Sequence, residues 1–517
     1  MQGRIYKILP FISIKNVKLL KNFLNCQLYF GLFYDIFTVD FHKNTYIYMY
    51  IFCGINYINW RVNFMETAKK RRPFGFYVCS MGFTFERLAF YTVKYLLAIW
   101  IATDVAAGGL GLSDSEGVAL SANFVAMTYI TPMIGGYIAD YWLSPKLCVA
   151  VGMILMGIGY LCTWQAHSLG LVWAMIILVS IGTGLFKGNL SGVNGLLFHD
   201  KEELDAAFSI QYSFVNIGSF VGTTFIAILA TTGLFGIKCS FNTVFLICAI
   251  FLFIDAAWFI LNGKSLGEAG KKPFKHDQRE FVSAEKKAKA EAAPLTSGDK
   301  KKIAVIVLIT IFSVVFWALW YMTYMPAYYR FGYGDGSDFM NKANWYIGSF
   351  QIPTSWFDSI NALTCIILGP VLAGVWAKLA NRPQGDMSMY QKTGLGMILL
   401  GISYVVMVVA DMVAGDGQCS IIFLLLVCVL MSVGEMVFSP LGNSFISKLA
   451  PAKVLGLLLG FWPIAVFFSN KIYPPVYDYL KTVNFAVGYG ALAAIVIVFG
   501  VVLWAISGKL EKMETEE

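Results

Sequence analysis

The stretch SMGFTFERLAFYTVKYLLAIW, from Ser80 to Trp100, is almost wholly apolar, yet it carries Glu86 and Arg87 side by side and Lys94 two turns on. A charge at bilayer depth costs on the order of 3 kcal/mol or more, so such residues face a cavity or a partner rather than lipid. At ~100° per residue, Phe83, Glu86, Arg87, Phe90, Tyr91 and Lys94 fall within one arc of about 140°. Two bases against one acid on a single face leave net positive charge, which suits an anionic ligand group. The competing reading is a structural ion pair with a neighbouring helix.

The same test finds three more polar intrusions. In IGTGLFKGNLSGVNG, Lys187 stands off a small-residue seam of Gly184, Gly188 and Gly192, with Ser191 and Asn194 continuing its stripe. The seam signals close helix packing and says nothing of a ligand. In AFSIQYSFVNIGSFVG, Tyr212, Asn216 and Ser219 share a face, where an interhelical hydrogen bond is the ordinary reading. In SVGEMVFSPLGNSF, Glu435, Ser439, Gly442 and Asn443 line one side, and Pro440 is placed to kink the helix. A lone carboxyl in apolar surroundings is readily held as the neutral acid, which makes Glu435 a candidate proton carrier.

Composition sets the medium that these residues work in. The chain has 517 residues, 58% hydrophobic and 14% charged, with a net charge of +8 and a mean hydropathy of +0.66; a soluble domain is about 25% charged. Apolar runs of about 20 residues recur from Phe74 onward, so the chain is a polytopic membrane protein. The basic residues gather in Lys69–Arg72, in the Lys-rich 264–302 region and at Lys509 and Lys512, a pattern of membrane flanks rather than of nucleic-acid binding. Ten cysteines show no metal-ligand spacing, and no metal or cofactor is expected. Cys239 and Cys419 fall in loops on one expected face, where a disulfide between them is an open alternative.

Twelve spans are expected, at about 74–103, 117–142, 147–165, 171–198, 205–232, 240–262, 303–326, 353–379, 390–412, 419–448, 454–476 and 485–508. The charged stretch 263–302 divides them into two sets of six, 65–262 and 303–517, and reads as a solvated linker. Residues 1–64 differ in composition, and METAKKRRPFGFYVC suggests Met65 as the initiator; the rival reading is an extra anchor at Tyr46–Trp60. Basic loops on one side place both termini in the cytoplasm, with Asp104, Asp114, Glu116, Asp411 and Asp416 on the outer face. The result is an all-α membrane protein of twelve transmembrane helices in two six-helix bundles, the layout of the major facilitator superfamily.

Six ordered motifs over roughly 74–505 resemble the proton-dependent oligopeptide transporter (POT/PTR) family. FTFERLAFYTVK is similar to the first-span E-x-x-E-R-F-x-Y-Y motif at Glu86, Arg87, Tyr91 and, loosely, Lys94. YITPMIGGYIADYW matches the second span from Tyr129, GTGLFKGN the fourth at Lys187 and FSIQYSFVNIGSF the fifth at Asn216. IPTSWFDSINAL resembles the eighth span at Asn361. GEMVFSPLGNSFISKLAPAKVLGLLLGFW resembles the tenth and eleventh at Glu435, Ser439, Pro440 and Trp462. The resemblance implies a monomeric plasma-membrane symporter that carries di- and tripeptides with protons and is not an enzyme. It implies that Arg87, Tyr91 and Lys187, with Lys94 and Tyr129 nearby, hold the peptide carboxylate. Asn216, Asn361 and Glu435 take its amino group, with Ser439 and Trp462 completing the site.

Two family acids are missing: Phe83 stands at the first position of the first-span motif and Tyr321 at the usual seventh-span glutamate. The acids left for proton coupling are Glu435 as main site, Glu86 as a partner of Lys187, and Asp358 as a second candidate. Asp358 lies three residues before Asn361, and its bland reading is a favourable carboxylate at a helix N-terminus. Two other classes compete: a carrier of another small anion or zwitterion with weak or no proton coupling, and a receptor that binds peptides without moving them. An aspartyl protease, suggested by GYGD at Gly332–Asp335, gives way to a glycine turn.

Overall fold

Short polar residues mark where the helices begin. Ser113 and Glu116 form a reciprocal capping box, as do Thr296 with Asp299 and Ser388 with Gln391, so orphan N–H groups at these helix starts are satisfied within the chain. Ser144 caps a helix whose first residue is Pro145, where the missing N–H does no harm. A computed structural model describes residues 72–198, 201–274, 295–383, 385–438, 442–451 and 454–515. The Met65 start and the Tyr46–Trp60 anchor lie outside the described residues.

The helices are α1 (Phe74–Ala102), α2 (Asp114–Tyr141), α3 (Pro145–Trp164), α4 (Leu169–Gly195), α5 (Lys201–Val221) and α6 (Phe241–Leu261), then α7 (Ser297–Tyr328), α8 (Trp356–Ala380), α9 (Met389–Ala414), α10 (Ile421–Phe438), α11 (Gly442–Leu449), α12 (Leu455–Lys481) and α13 (Phe485–Thr515). Among the described residues, nine helices are long and apolar enough to cross a membrane. Helices α1 to α6 pack among themselves, as do α7 to α13. The two groups meet through α2 against α12 and α5 against α8.

Two expectations change. The helix of α7 starts at Ser297, inside the expected linker, because the Thr296 capping box begins it there. The expected fifth span changes winding, passing from α5 into a π-helical turn at Gly222–Ile226 and a 3₁₀ turn at Ala227–Ala230. Of the expected tenth span, α10 and α11 are described, and Ser439 and Pro440 lie outside the described residues. Two-residue strands also form: Ala343–Asn344 runs parallel to Cys419–Ser420, and Tyr346–Ile347 turns back on Phe350–Gln351. Cys419 is held in the first ladder, and both Cys419 and Cys239 are free thiols.

The small-residue seam expected on α4 splits as well. A Cβ on Gly184 would sit 2.8 Å from the Thr131 carbonyl of α2, and one on the facing Gly135 would sit 2.0 Å from the Gly184 carbonyl. Gly188 meets nothing within 4 Å, and Gly192 meets the Phe274 ring. Only Gly184 in that run serves a helix–helix contact. Gly135→Ala should therefore destabilise the protein by about 1–3 kcal/mol through overpacking, read as a lower melting temperature in detergent, while Gly188→Ala leaves it unchanged.

Candidate functional site

The charged face of α1 arrives at mid-depth already half neutralised. Arg87 donates from Nε to Glu86 Oε2 and from Nη2 to Glu86 Oε1, both at 2.5 Å, and its guanidinium lies 4.4 Å from the Phe90 ring centre. A bidentate charge-assisted pair of this kind orients both side chains. The expected pairing of Glu86 with Lys187 is not what forms. Glu86 is turned to its own neighbour, and the Lys187 ammonium lies 4.3 Å from the centre of the Tyr129 ring, a cation–π contact on α2.

Lys94, one turn beyond Tyr91, takes a different partner. Its Nζ donates to Asp358 Oδ1 of α8 at 3.1 Å, and the Tyr328 hydroxyl of α7 donates to Asp358 Oδ2. The ammonium is caged by aromatic rings, with Tyr324 at 4.4 Å and Trp320, Tyr321 and Tyr91 at 5.5, 5.6 and 5.7 Å. Both partners are buried. The bland reading of Asp358, a carboxylate favoured by its helix N-terminus, is incomplete, because the side chain is an inter-half ion pair. Its neighbours extend the closure: Tyr95 meets Thr354 at 2.5 Å, Thr223 meets Ser359 at 2.9 Å, and Tyr329 donates to the Ala98 carbonyl at 2.6 Å. Farther along, Asp114 of α2 accepts from Tyr477 at 3.0 Å and from Lys481, both of α12. These contacts close the two halves at the end predicted to face outward.

Within the second half, Asn361 of α8 donates from Nδ2 to Glu435 Oε2 at 3.0 Å and to Ser432 Oγ at 2.9 Å, both on α10. The sequence reading missed Ser432, one turn before Glu435. Glu435 lies within electrostatic reach of Lys94, Tyr91 and Tyr212. Tyr321 of α7 reaches the Tyr129 side chain of α2. Tyr91, Tyr129, Lys187, Asn216, Asn361 and Glu435 are half-buried, whereas Arg87 and Lys94 are buried. Asn216 donates to the Tyr212 carbonyl of its own helix at 2.9 Å. Trp462 packs on Gly442 of α11, and Ser439 lies outside the described residues.

The sequence reading also passed over Asp255, in FLFIDAAWFIL on α6, although a lone acid inside an apolar run is the same signal that picked out Lys187. No group of three or more His, Cys, Asp or Glu side chains that could hold a metal ion occurs among the described residues.

Charge pairs buried between two helical halves, with polar groups facing a shared interface, define a membrane carrier of the major-facilitator type. The PTR2 model, described as POT family, matches residues 144–287 and 264–492, and the chain belongs to the POT family. It is 25% identical over 482 residues to the uncharacterized transporter YclF of Bacillus subtilis, covering 85% of this chain and 94% of that one. It is 26% identical over 429 residues to dipeptide and tripeptide permease A of Erwinia pyrifoliae, covering 76% and 82%. A solved peptide transporter POT in complex with alafosfalin superposes with a TM-score of 0.75 at 23% identity, covering 86% of this chain and 96% of that one.

Removing one partner of the Lys94–Asp358 pair leaves a buried charge unmatched, at a cost of about 3–5 kcal/mol. Asp358→Ala should open the outer closure. A cysteine placed at Ser359, which is 4% exposed in the closed form, should then react with a membrane-impermeant maleimide at least tenfold faster than the same cysteine in the parent protein.

Proposed function

We propose that the protein is a proton-coupled carrier of di- and tripeptides, with twelve spans in two six-helix bundles, working by alternating access in the plasma membrane as a monomer with both termini cytoplasmic. One observation carries the reading. Glu86 neutralises Arg87, and Asp358 neutralises Lys94. Of the charges gathered at the interface, Lys187 in the first half and Glu435 in the second then have no ion-pair partner among the described residues. A zwitterion set between them matches both charges at once, its carboxylate toward Lys187 and Tyr129 and its ammonium toward Glu435 and Asn361. The naming of the Erwinia relative as a dipeptide and tripeptide permease agrees with a peptide as that zwitterion.

Bridging matters because a ligand shifts a two-state equilibrium only by its differential affinity for the two states. A peptide that touches both halves favours the arrangement in which both can reach it. In the described form the halves are closed at the end that the basic loops assign to the outer face. Arg87, held by Glu86, is a reserve cation that turns to the peptide carboxylate when Glu86 takes a proton. Glu435, held only by neutral donors, is the group whose proton the peptide ammonium can replace.

Lys187→Ala should cut dipeptide uptake at least tenfold, corresponding to a lost charge-assisted contact of about 1.5–3 kcal/mol. Glu435→Gln, which keeps the shape and removes the charge, should abolish accumulation driven by an imposed pH difference. The measurement is labelled-dipeptide uptake into proteoliposomes with and without a pH gradient. Uptake by Lys187→Ala near the parent rate would overturn the site assignment. Equal transport of a simple inorganic anion would favour the anion-carrier reading.

A further inference from the structure

We propose that Asp255 is a further proton-carrying residue of the transport cycle, sharing one proton with the Glu86–Arg87 pair; the proposal rests on the proton-coupled reading above. Asp255 is 0% exposed, and neither carboxyl oxygen has a hydrogen-bond donor among the described residues. An ionised carboxylate in such a place would be neither solvated nor paired, so its stable form is the neutral acid.

The placement is built rather than incidental. Cys79, Gly82 and Glu86 follow one another at spacings of three and four residues, so they share one face of α1. Asp255 lies against that face: a Cβ added at Gly82 would stand 3.6 Å from Asp255 Oδ1 and 3.2 Å from Leu190 Cδ2. That distance puts the carboxyl within ordinary van der Waals range of the α1 surface at Gly82. One turn deeper is Glu86, within electrostatic reach of Asp255. The other titratable groups around this point are Cys79 of α1 and, reaching Cys79 from α3, Lys146, whose ammonium is engaged by the Gly263 and Gly267 carbonyls. From α3, Tyr160 senses Glu86 and Cys248, and from α4, Lys187 senses Glu86. None of these donates to Asp255.

Two carboxyls and one guanidinium then divide a single proton. With Arg87 held by Glu86, as here, the proton rests on Asp255. When Arg87 turns to an anionic substrate group, Glu86 loses both donors. The O–H bond at Asp255 breaks, one forms at a Glu86 oxygen, and no other reactant is needed. The unpartnered anion left at Asp255 takes the next proton from the aqueous phase, which ties loading of substrate to uptake of a proton.

The test compares wild type, Asp255→Asn and Asp255→Glu in proteoliposomes, reading dipeptide counterflow, pH-driven accumulation and the infrared band of protonated carboxyl groups. Wild type should show a component of that band at neutral pH that is missing from Asp255→Asn. The ratio of pH-driven accumulation to counterflow should fall at least tenfold in Asp255→Asn and recover in Asp255→Glu. A band of unchanged intensity in Asp255→Asn, or an undiminished ratio, would overturn the proposal. So would Asp255→Asn failing to fold while Asp255→Glu folds, since a neutral amide replaces a neutral acid without strain. Wild-type protein that shows counterflow but no pH-driven accumulation removes the proton-coupled reading and this proposal with it. Wild-type accumulation matched by Asp255→Asn removes this proposal alone.

Discussion

A charged side chain that leaves water for the middle of a bilayer must meet an opposite charge, a set of donors or acceptors, or a proton. That constraint organises the interface of this protein. Arg87 meets Glu86, Lys94 meets Asp358 within a ring of aromatic side chains, Lys187 rests on Tyr129, and Glu435 accepts from Asn361. The four solutions are not equivalent. The first two complete a charge pair inside the protein, and the last two hold a charge with neutral partners, which leaves that charge available to a ligand.

The inter-half position of Lys94–Asp358 makes the difference mechanical. A pair within one bundle rides along with it, whereas a pair across the two bundles has to break when the halves part. Tyr328 and Thr354 reinforce this closure from α7 and from the start of α8, and the Asp114 contacts with Tyr477 and Lys481 do so between α2 and α12. Asp358 takes up the closing contact, and Asp255 adds a carboxyl behind Glu86.

Much of this was legible in the sequence because membranes make polar residues conspicuous. Glu86, Arg87, Lys94, Lys187 and Glu435 stand out in apolar runs, and their placement on shared helix faces follows from the helical repeat. Partner choice was not legible. Whether Glu86 turns to Arg87 or to Lys187 depends on which side chain reaches it, and adjacent residues on one helix are not expected to face each other; here the length and fork of arginine make the contact. The altered winding at Gly222–Ile226 escaped a reading based on hydropathy, because hydropathy registers the medium and not the hydrogen-bond pattern. Asp255 was visible by the same rule as Lys187 and was passed over because it falls outside the recognised motifs.

The central claim is that Lys187 and Glu435 recognise the two ends of one zwitterion. Binding of a dipeptide, its C-terminal amide and its N-acetyl form to the purified protein tests it most directly. The account predicts that each modified peptide binds at least tenfold more weakly than the free dipeptide, and that Lys187→Ala no longer distinguishes the amide while Glu435→Gln no longer distinguishes the N-acetyl form. Equal binding of all three by the wild-type protein would contradict it.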